Sequence, residues 1–203
     1  MNKLEVLKRN FYARNSVKVA KELLGRLLVR ELPEGRLIGK IVEVEAYRGS
    51  DDPASHAYRG KTPRNEVMFS KPGLAYIYFT YGMHYCLNVK AEKEGIPGAV
   101  LIRALEPLEG IKIMKKNRQT EKIKELTNGP AKLTKAMKIT KELNGWDLTK
   151  GKKLFICKPV SQEKFEMVTT SRIGISAGAE KPWRFYIKGN PFVSCKGLVR
   201  KTV

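Results

Sequence analysis

The stretch RLIGKIVEVEAY, Arg36 to Tyr47, follows the turn signal Leu32-Pro33-Glu34-Gly35. The segment before that turn, Arg26 to Glu31, has the same extended character. The two segments therefore predict an antiparallel strand pair joined by a tight connection. This pair is the starting point of the predicted sheet.

A second strand pair is expected at Leu74 to Thr80 and His84 to Val89, joined by a tight turn in which Gly82 can adopt a positive φ. Strands come in runs without a βαβα rhythm, so the expected class is α+β (mixed α/β) with a mostly antiparallel sheet. The other predicted strands are Ala99 to Leu105, Lys153 to Cys157, Ile173 to Ser176 and Trp183 to Lys188, and the predicted helices are one capped by Ser16 and ended by Gly25, Pro107 to Arg118, and Pro130 to Ile139.

The alternation in IVEVEAY places Glu43, Glu45 and Tyr47 on one strand face together with Ile41. One interpretation is a half-exposed strand with a solvated polar face. Arg103 favours another, because it lies within AVLIRAL, where continuous apolar residues predict a strand buried on both faces. A buried guanidinium needs a partner, and a carboxylate of this strand is the natural one. Such a pair can be purely structural, but an ionised, positioned carboxylate is also what a general base for water requires.

The length of 203 residues predicts one domain, residues 1–203. With 42% hydrophobic and 30% charged residues the composition is that of an ordinary globular protein. Lys and Arg number 40 against 20 Asp and Glu, which leaves a formal charge of +20. The densest positive region is Ile111 to Lys153, with 13 Lys or Arg against 4 acids. This surplus indicates a polyanionic partner.

The segment Met1 to Phe11 carries charges where a secretory signal would be apolar, so the protein is predicted to be intracellular, in the cytoplasm or nucleoid of a prokaryote or the nucleus of a eukaryote. The longest stretch without charged residues, Pro72 to Val89, is too polar to span a membrane, so no membrane partner is expected. Three cysteines far apart, Cys86, Cys157 and Cys195, predict reduced core thiols.

Tyrosines at strand spacing are usually packing residues, which is the role predicted for Tyr76 and Tyr85. Tyr81 differs, because an aromatic ring at the tip of a tight hairpin has no core to enter. In a strongly basic protein it is interpreted as a wedge that enters a base stack. Asp51-Asp52-Pro53 is predicted to be a turn, since no third acid or His converges with it to bind a metal.

These segments resemble, in order and wording, the alkyladenine (3-methyladenine) DNA glycosylase family, whose members excise alkylated and deaminated purines. The match covers nearly the whole chain, and seven signatures in the right order are far more specific than any one of them. They are EAYRG at Glu45 to Gly49, TPRN at Thr62 to Asn65, KPG at Lys71 to Gly73, YIYFTYGM at Tyr76 to Met83, RALEPLEG at Arg103 to Gly110, GPAKL at Gly129 to Leu133, and RIGI at Arg172 to Ile175.

Carried over by position, the resemblance implies that Glu45 is the general base. Arg103 and the backbone carbonyl of Ile173 would help to hold the attacking water. The resemblance also implies that the extruded purine stacks between Tyr47 on one face and His56 with Tyr78 on the other, and that Asn88 discriminates against a guanine-type amine. Tyr81 would fill the vacated place in the stack with Met83 beside it, and Arg64 and Lys132 would contact the DNA backbone.

The resemblance implies a single α/β domain on a curved antiparallel sheet with surrounding helices and a protruding DNA-inserting hairpin. The expected partner is double-stranded DNA containing damaged purines, the expected state is a monomer, and neither metal nor cofactor is expected. No lysine stands in an apolar segment that would depress its pKa, so a Schiff-base lyase step is not predicted.

A non-catalytic nucleic-acid-binding module is the alternative, because charge and tyrosines alone would suffice for it. Glu43 and Glu45 count against it, since carboxylates in a phosphate-binding face cost affinity. A base deaminase would need H-x-E and P-C-x-x-C ligands, which the sequence lacks. A metal nuclease would need convergent acids, also lacking.

Overall fold

An eight-stranded antiparallel sheet curls into a half barrel and carries helices on its flanks. This computed structural model describes residues 4–161 and 163–194. The strands are β1 (Leu27–Leu32), β2 (Gly35–Tyr47), β3 (Ala75–Thr80), β4 (His84–Lys90), β5 (Ala99–Glu109), β6 (Leu154–Cys157), β7 (Met167–Thr170) and β8 (Arg184–Ile187). The helices are α1 (Arg9–Tyr12), α2 (Ser16–Leu23), α3 (Ile111–Arg118) and α4 (Pro130–Ala136), with short 3-10 helices at Glu66–Phe69, Ile123–Glu125, Lys141–Leu143 and Leu148–Lys150.

Strand β2 is paired along both of its edges. The main path of the sheet runs β3-β4-β5-β2-β1-β6. β5 occupies one edge of β2 from Ile38 to Tyr47, while β1 and β8 share the other edge, β1 pairing with Gly35 to Lys40 and β8 with Glu43 to Glu45. A register shift between Ile41 and Val44 marks a bulge, which adds local twist. The segment that holds both glutamates is therefore covered on each side by a neighbouring strand.

The apolar core lies between the sheet and the helices. In α2 the residues Val19, Ala20 and Leu23 are buried, a helical spacing that turns one stripe toward the sheet. Asn15 is the N-cap of this helix, its side chain accepting hydrogen bonds from the amides of Val17 and Lys18, so the prediction that Ser16 caps it was wrong. The amide of Ser16 is instead held by the Glu92 carboxylate at 2.7 Å.

The predicted α+β class and antiparallel sheet are confirmed, as are the two strand pairs. Two boundaries were wrong, one predicted strand is absent and one strand was missed. Pro107 to Glu109 continue β5 because they pair with β2, and α3 begins only after Gly110, whose φ of 76° and approach to the Arg36 carbonyl leave no room for a side chain. Helix α4 ends at Ala136 rather than Ile139. Ile173 to Ser176 form no strand, and β7 was not predicted.

The described residues contain no helix that is both long and apolar enough to cross a membrane. Cys86 and Cys157 are free and buried, as predicted, and Cys195 lies outside the described residues. That residues 1–203 form a single domain, and that the chain is a monomer, stay predictions.

Candidate active site

A cavity of about 420 Å³ opens beside the β3–β4 hairpin, a volume within the usual range of small-molecule sites. Its walls come from four neighbouring strands and three connecting segments. The cavity is lined by Tyr47, Ala54, His56, Arg64, Met68, Tyr76, Tyr78, Thr80, Tyr81, Cys86, Asn88, Ala99, Leu101, Arg103, Pro130, Ile173, Gly174 and Ile175. Eight of the eleven residues predicted for the site are in this wall.

Glu45 lies directly behind that wall and is fully buried. Its Oε2 accepts hydrogen bonds from Arg103 Nη1 at 3.1 Å and from the Tyr47 hydroxyl at 2.9 Å, and its Oε1 accepts one from the Ile173 amide at 2.7 Å. The three groups that hold Glu45 all line the cavity. A carboxylate can accept about four hydrogen bonds. Among the described residues three positions are filled, which leaves one on Oε1.

Glu43, two residues earlier on β2, has a different set of donors. Its Oε1 accepts from Arg103 Nε at 3.0 Å, Arg184 Nε at 2.7 Å and the Ser194 hydroxyl at 2.9 Å, and its Oε2 accepts from the Ser194 amide at 2.6 Å. Arg184 and Ser194 are not part of the cavity wall. Glu43 therefore anchors the guanidinium groups, whereas Glu45 is the acid whose donors all face the cavity.

Arg103 bridges the two carboxylates. Burial opposes its positive charge, but the charges of Glu45 and Glu43 more than offset that and raise the pKa of the guanidinium. The predicted pairing of Arg103 with a carboxylate of IVEVEAY is confirmed, and it involves both glutamates. The half-exposed, solvated strand face is excluded, because both acids are fully buried and bonded to arginine side chains.

Aromatic side chains form much of the cavity wall. His56 and Tyr78 meet edge to face with ring centres 4.6 Å apart, and His56 Nδ1 lies 2.8 Å from the Tyr76 hydroxyl. Burial, and then the charge of Arg64, lower the pKa of His56. Tyr47 donates its hydroxyl to Glu45; burial, followed by that carboxylate's charge, raises the pKa of Tyr47. These rings make up the aromatic part of the cavity wall.

Asn88 lies on the floor of the same cavity and is almost fully buried. Its amide nitrogen donates to the Tyr76 carbonyl at 3.1 Å, which fixes the orientation of the side chain. Arg64 lies at the cavity wall with its guanidinium 5.9 Å from the centre of the Tyr78 ring. Both residues are thus placed to touch whatever enters the cavity.

The tip of the β3–β4 hairpin, Tyr81 to Met83, projects into solvent. Tyr81 is 84% exposed and Met83 68% exposed. The turn needs φ of 52° at Tyr81 and 65° at Gly82, and a non-glycine residue in this region costs about 1–2 kcal/mol. Tyr81 still reaches the cavity rim, whereas Met83 does not. Lys132 is not part of the cavity wall, although Pro130 of the same helix is, and it donates to Asn128 Oδ1 at 2.8 Å.

A family model for the methylpurine-DNA glycosylases matches residues 10–191. The chain belongs to the methylpurine-DNA glycosylase family. A relative from Carboxydothermus hydrogenoformans is 58% identical over 193 residues, which cover 94% of this chain and 100% of the relative. A relative from Clostridium acetobutylicum is 50% identical over 198 residues, covering 92% and 96%. Both carry the name "Putative 3-methyladenine DNA glycosylase".

Membership in this family confirms the resemblance drawn from the sequence. The chain is a DNA glycosylase, a hydrolase that acts in DNA repair. A non-catalytic binding module is therefore not the function of this fold. Among the described residues no group of three or more His, Cys, Asp or Glu side chains could hold a metal ion, and independence from metals stays a prediction.

One buried ion pair beside the glycosylase cavity was not predicted. Arg172 donates from Nη1 and Nη2 to the two oxygens of Asp52, each at 2.7 Å, and both side chains are fully buried. The Arg172 guanidinium lies 4.6 Å from the centre of the Tyr47 ring, and the next residue, Ile173, holds Glu45. Asp52 is thus more than the turn residue predicted from Asp51-Asp52-Pro53.

Ile173 contacts Glu45 through its amide, and the role expected of its carbonyl stays a prediction. One further expectation needs correction. Lys90 is fully buried, and burial lowers its pKa to about 8, contrary to the expectation that no lysine is depressed. Its Nζ is surrounded by the carbonyls of Ala91, Glu92, Lys93 and Ile96, outside the cavity wall.

Proposed function

We propose that this glycosylase extrudes alkylated and deaminated purines, such as 3-methyladenine and hypoxanthine, from duplex DNA and hydrolyses their N-glycosidic bonds with a water activated by Glu45. The supporting relatives are named for 3-methyladenine. One observation carries the proposal. Glu45 has an open acceptor position on Oε1, and its three donors among the described residues, Arg103, Tyr47 and Ile173, all line a cavity large enough to admit a base.

Extrusion comes first, because a base inside the duplex cannot reach a buried acid. Removing it from the stack costs a few kcal/mol, and less for a damaged or mismatched pair, so damage contributes selectivity. Tyr81, exposed at the hairpin tip, is suited to fill the vacated space and offset part of that cost. Arg64 and Lys132 are assigned to contacts with the DNA backbone, and Met83 to a contact beside Tyr81.

The extruded purine then stacks between Tyr47 and the pair His56 and Tyr78. Stacking is worth about 1–3 kcal/mol per base and depends little on which base is held, so one slot accepts several lesions. Asn88, held in place by the Tyr76 carbonyl, excludes purines with a guanine-type exocyclic amine. His56 is uncharged at neutral pH, since its pKa is lowered, and so does not repel a cationic alkylated purine.

Bond breaking follows from the placement of Glu45. The water occupies the open position on Oε1, next to the Ile173 backbone and the Arg103 guanidinium. Its oxygen bonds to the sugar C1′, the electron pair of the N-glycosidic bond leaves with the purine, and Glu45 takes the water proton. The negative carboxylate also faces the positive charge that develops on the sugar. An alkylated purine leaves without further help, whereas a neutral one must gain a proton from an acid that we do not assign.

The decisive experiment incubates the protein in EDTA with a duplex that carries one hypoxanthine and measures free base and alkali-labile sites. Glu45→Gln should lose about 10²- to 10⁴-fold in rate, the usual contribution of a general base. Binding to the same duplex should be retained, and Glu66→Gln, an exposed acid of the same type, should match the wild type.

Glu45→Asp provides a second variant with the charge retained, and it should recover part of the activity. If Glu45→Gln releases the base as fast as the wild type while both are folded, Glu45 is not the base. Activity that disappears in EDTA and returns with a divalent metal would overturn the metal-free mechanism.

A further inference from the structure

A second hollow lies on the other side of the β3–β4 hairpin, and we call it the rear groove. Its volume is about 590 Å³, and it is bounded by the hairpin, by the end of β1 and by α4 with the segment that follows it. The lining residues that matter here are Arg30, Met83, His84, Tyr85, Lys135 and Lys138. The glycosylase mechanism proposed above makes no use of it.

The hairpin separates the rear groove from the cavity. Side chains on a strand alternate between its two faces. On β4, Cys86 and Asn88 share a face and line the cavity, whereas Tyr85 faces the other way and lines the rear groove. His84, next to the turn, lines the rear groove as well. Helix α4 is attached to that second face, since the Thr134 hydroxyl donates to the Tyr85 carbonyl at 3.0 Å. Tyr81 and Met83, at one tip, thus belong to opposite hollows.

The rear groove has a cationic rim over a partly apolar floor. Arg30, Lys135 and Lys138 supply three positive charges against the single acid Glu142. Lys138 is paired with Glu34 from outside the lining. Lys135 is exposed and makes no ion pair or side-chain hydrogen bond with any residue in 4–161 or 163–194. Arg30 donates from Nη1 to two carbonyls. The exposed ammonium group of Lys135, unpaired within that part of the chain and close to a second cation, suits a phosphodiester.

This step rests on the proposed extrusion by Tyr81: given that extrusion, the geometry of a duplex determines which DNA strand lies beside the rear groove. A wedge that enters the base stack lies between the two strands of the duplex. The strand whose nucleotide enters the cavity must lie on the cavity side of the hairpin. The other strand then lies on the side of the rear groove.

We propose that the rear groove binds the backbone of the strand opposite the damaged purine, with Lys135 and Arg30 contacting its phosphates. The groove would hold that strand while the lesion strand is pulled away from it. It would thereby make the protein prefer duplex over single-stranded DNA, beyond what Tyr81 achieves alone.

The test uses a duplex of about 25 base pairs with one uncleavable abasic analogue, so that binding is measured without chemistry. Lys135→Gln should weaken duplex binding about threefold near 0.15 M salt. Proteins with about 6–10 phosphate contacts lose about 10³- to 10⁵-fold in affinity between 50 and 200 mM salt, which is about threefold for each contact. It should reduce the slope of log K against log salt by about 1 and leave binding to the single lesion strand unchanged. Lys112→Gln, an exposed helical lysine outside both hollows, is the matched control and should change neither.

Neutral methylphosphonates then identify the strand. Placed at the central phosphates of the opposite strand, they should weaken binding by the wild type more than binding by Lys135→Gln, which keeps only the Arg30 contact; placed in the lesion strand, they should weaken both proteins equally. If Lys135→Gln behaves like Lys112→Gln, or if its loss is coupled to phosphates of the lesion strand, the rear groove does not bind the opposite strand.

Base release from a single-stranded substrate separates this proposal from the proposed function. Suppose that the wild type and Lys135→Gln release the base at equal rates, and that methylphosphonates in the opposite strand affect both proteins equally. The rear-groove proposal is then wrong, while the proposed function stands. If the wild type releases no purine at all, the proposed function itself is wrong.

Discussion

Replacing Asp52 with Asn tests whether the buried Asp52–Arg172 pair supports the catalytic cluster. The Asp52 carboxylate receives four donors, two from Arg172 at 2.7 Å and one each from the amides of Arg48 at 2.9 Å and Ala54 at 3.3 Å. An amide has one accepting oxygen and a nitrogen that donates. At least one Arg172 donor would then face another donor, and the guanidinium would remain buried without an opposite charge.

Breaking a buried ion pair from one side costs about 3–5 kcal/mol. A chain of about 200 residues loses about 2–4 °C in melting temperature per kcal/mol, so Asp52→Asn should melt roughly 6–20 °C lower. The exposed neighbour offers a matched control. Asp51→Asn removes a surface pair with Arg48 and should cost less than about 1 kcal/mol.

Catalysis should suffer as well at a temperature where the variant is folded. Arg172 supports the Tyr47 ring and precedes Ile173, whose amide bonds to Glu45. A hydrogen bond to a charged group is worth about 1.5–3 kcal/mol, so single-turnover base release should slow about ten- to hundredfold. The pair acts by positioning, so the rate should fall more than the affinity for damaged duplex. Equal melting of Asp52→Asn and Asp51→Asn, or an unchanged rate in a folded Asp52→Asn protein, would refute this reasoning.

Three other outcomes are expected. Tyr81→Ser should weaken capture of a damaged duplex by much more than capture of the same lesion in a single strand, because only the duplex has a stack to fill; equal losses would contradict the wedge. Burial, and then the charge of Arg64, lower the pKa of His56 below the usual histidine value of 6.5, so the ring gains its charge only in more acid solution. Release of cationic purines should therefore slow as the pH falls below 6.5. His56→Gln should abolish that decline, and a decline that persists would remove His56 from contact with the base. Borohydride should trap no covalent complex with abasic DNA, since Lys90, despite a pKa of about 8, is enclosed by four carbonyls outside the cavity; a trapped adduct at Lys90 would contradict this placement.

The centre of the site could be predicted from the sequence because its signals are local. Alternation along β2 and an arginine within an apolar strand were enough to pair Arg103 with Glu43 or Glu45. The hairpin was equally visible, since Gly82 stands between two strand-like runs. In both cases neighbouring residues determine the geometry.

The rest depends on residues far apart in the chain. Glu43 accepts a hydrogen bond from Arg184, 141 positions away, and Asp52 accepts one from Arg172, 120 positions away. RIGI has the alternation of a strand, but Gly174 adopts a φ of 74° and the Ile173 amide bonds to Glu45 instead of a neighbouring strand. Nothing in the local pattern signals such a use of the backbone.

Because β2 is paired along both edges, the acid that it carries has no freedom to slide or turn, and substrates must adapt to it. Of the groups proposed to touch the base, Tyr47 ends β2 itself, whereas Tyr78, Asn88 and His56 lie on the hairpin strands and in the loop that precedes them. Bond cleavage and most of the proposed choice of lesion thus belong to separate parts of the chain. Lesion range could therefore diverge between relatives through changes in those peripheral segments, while the hydrolytic step that they serve stays the same.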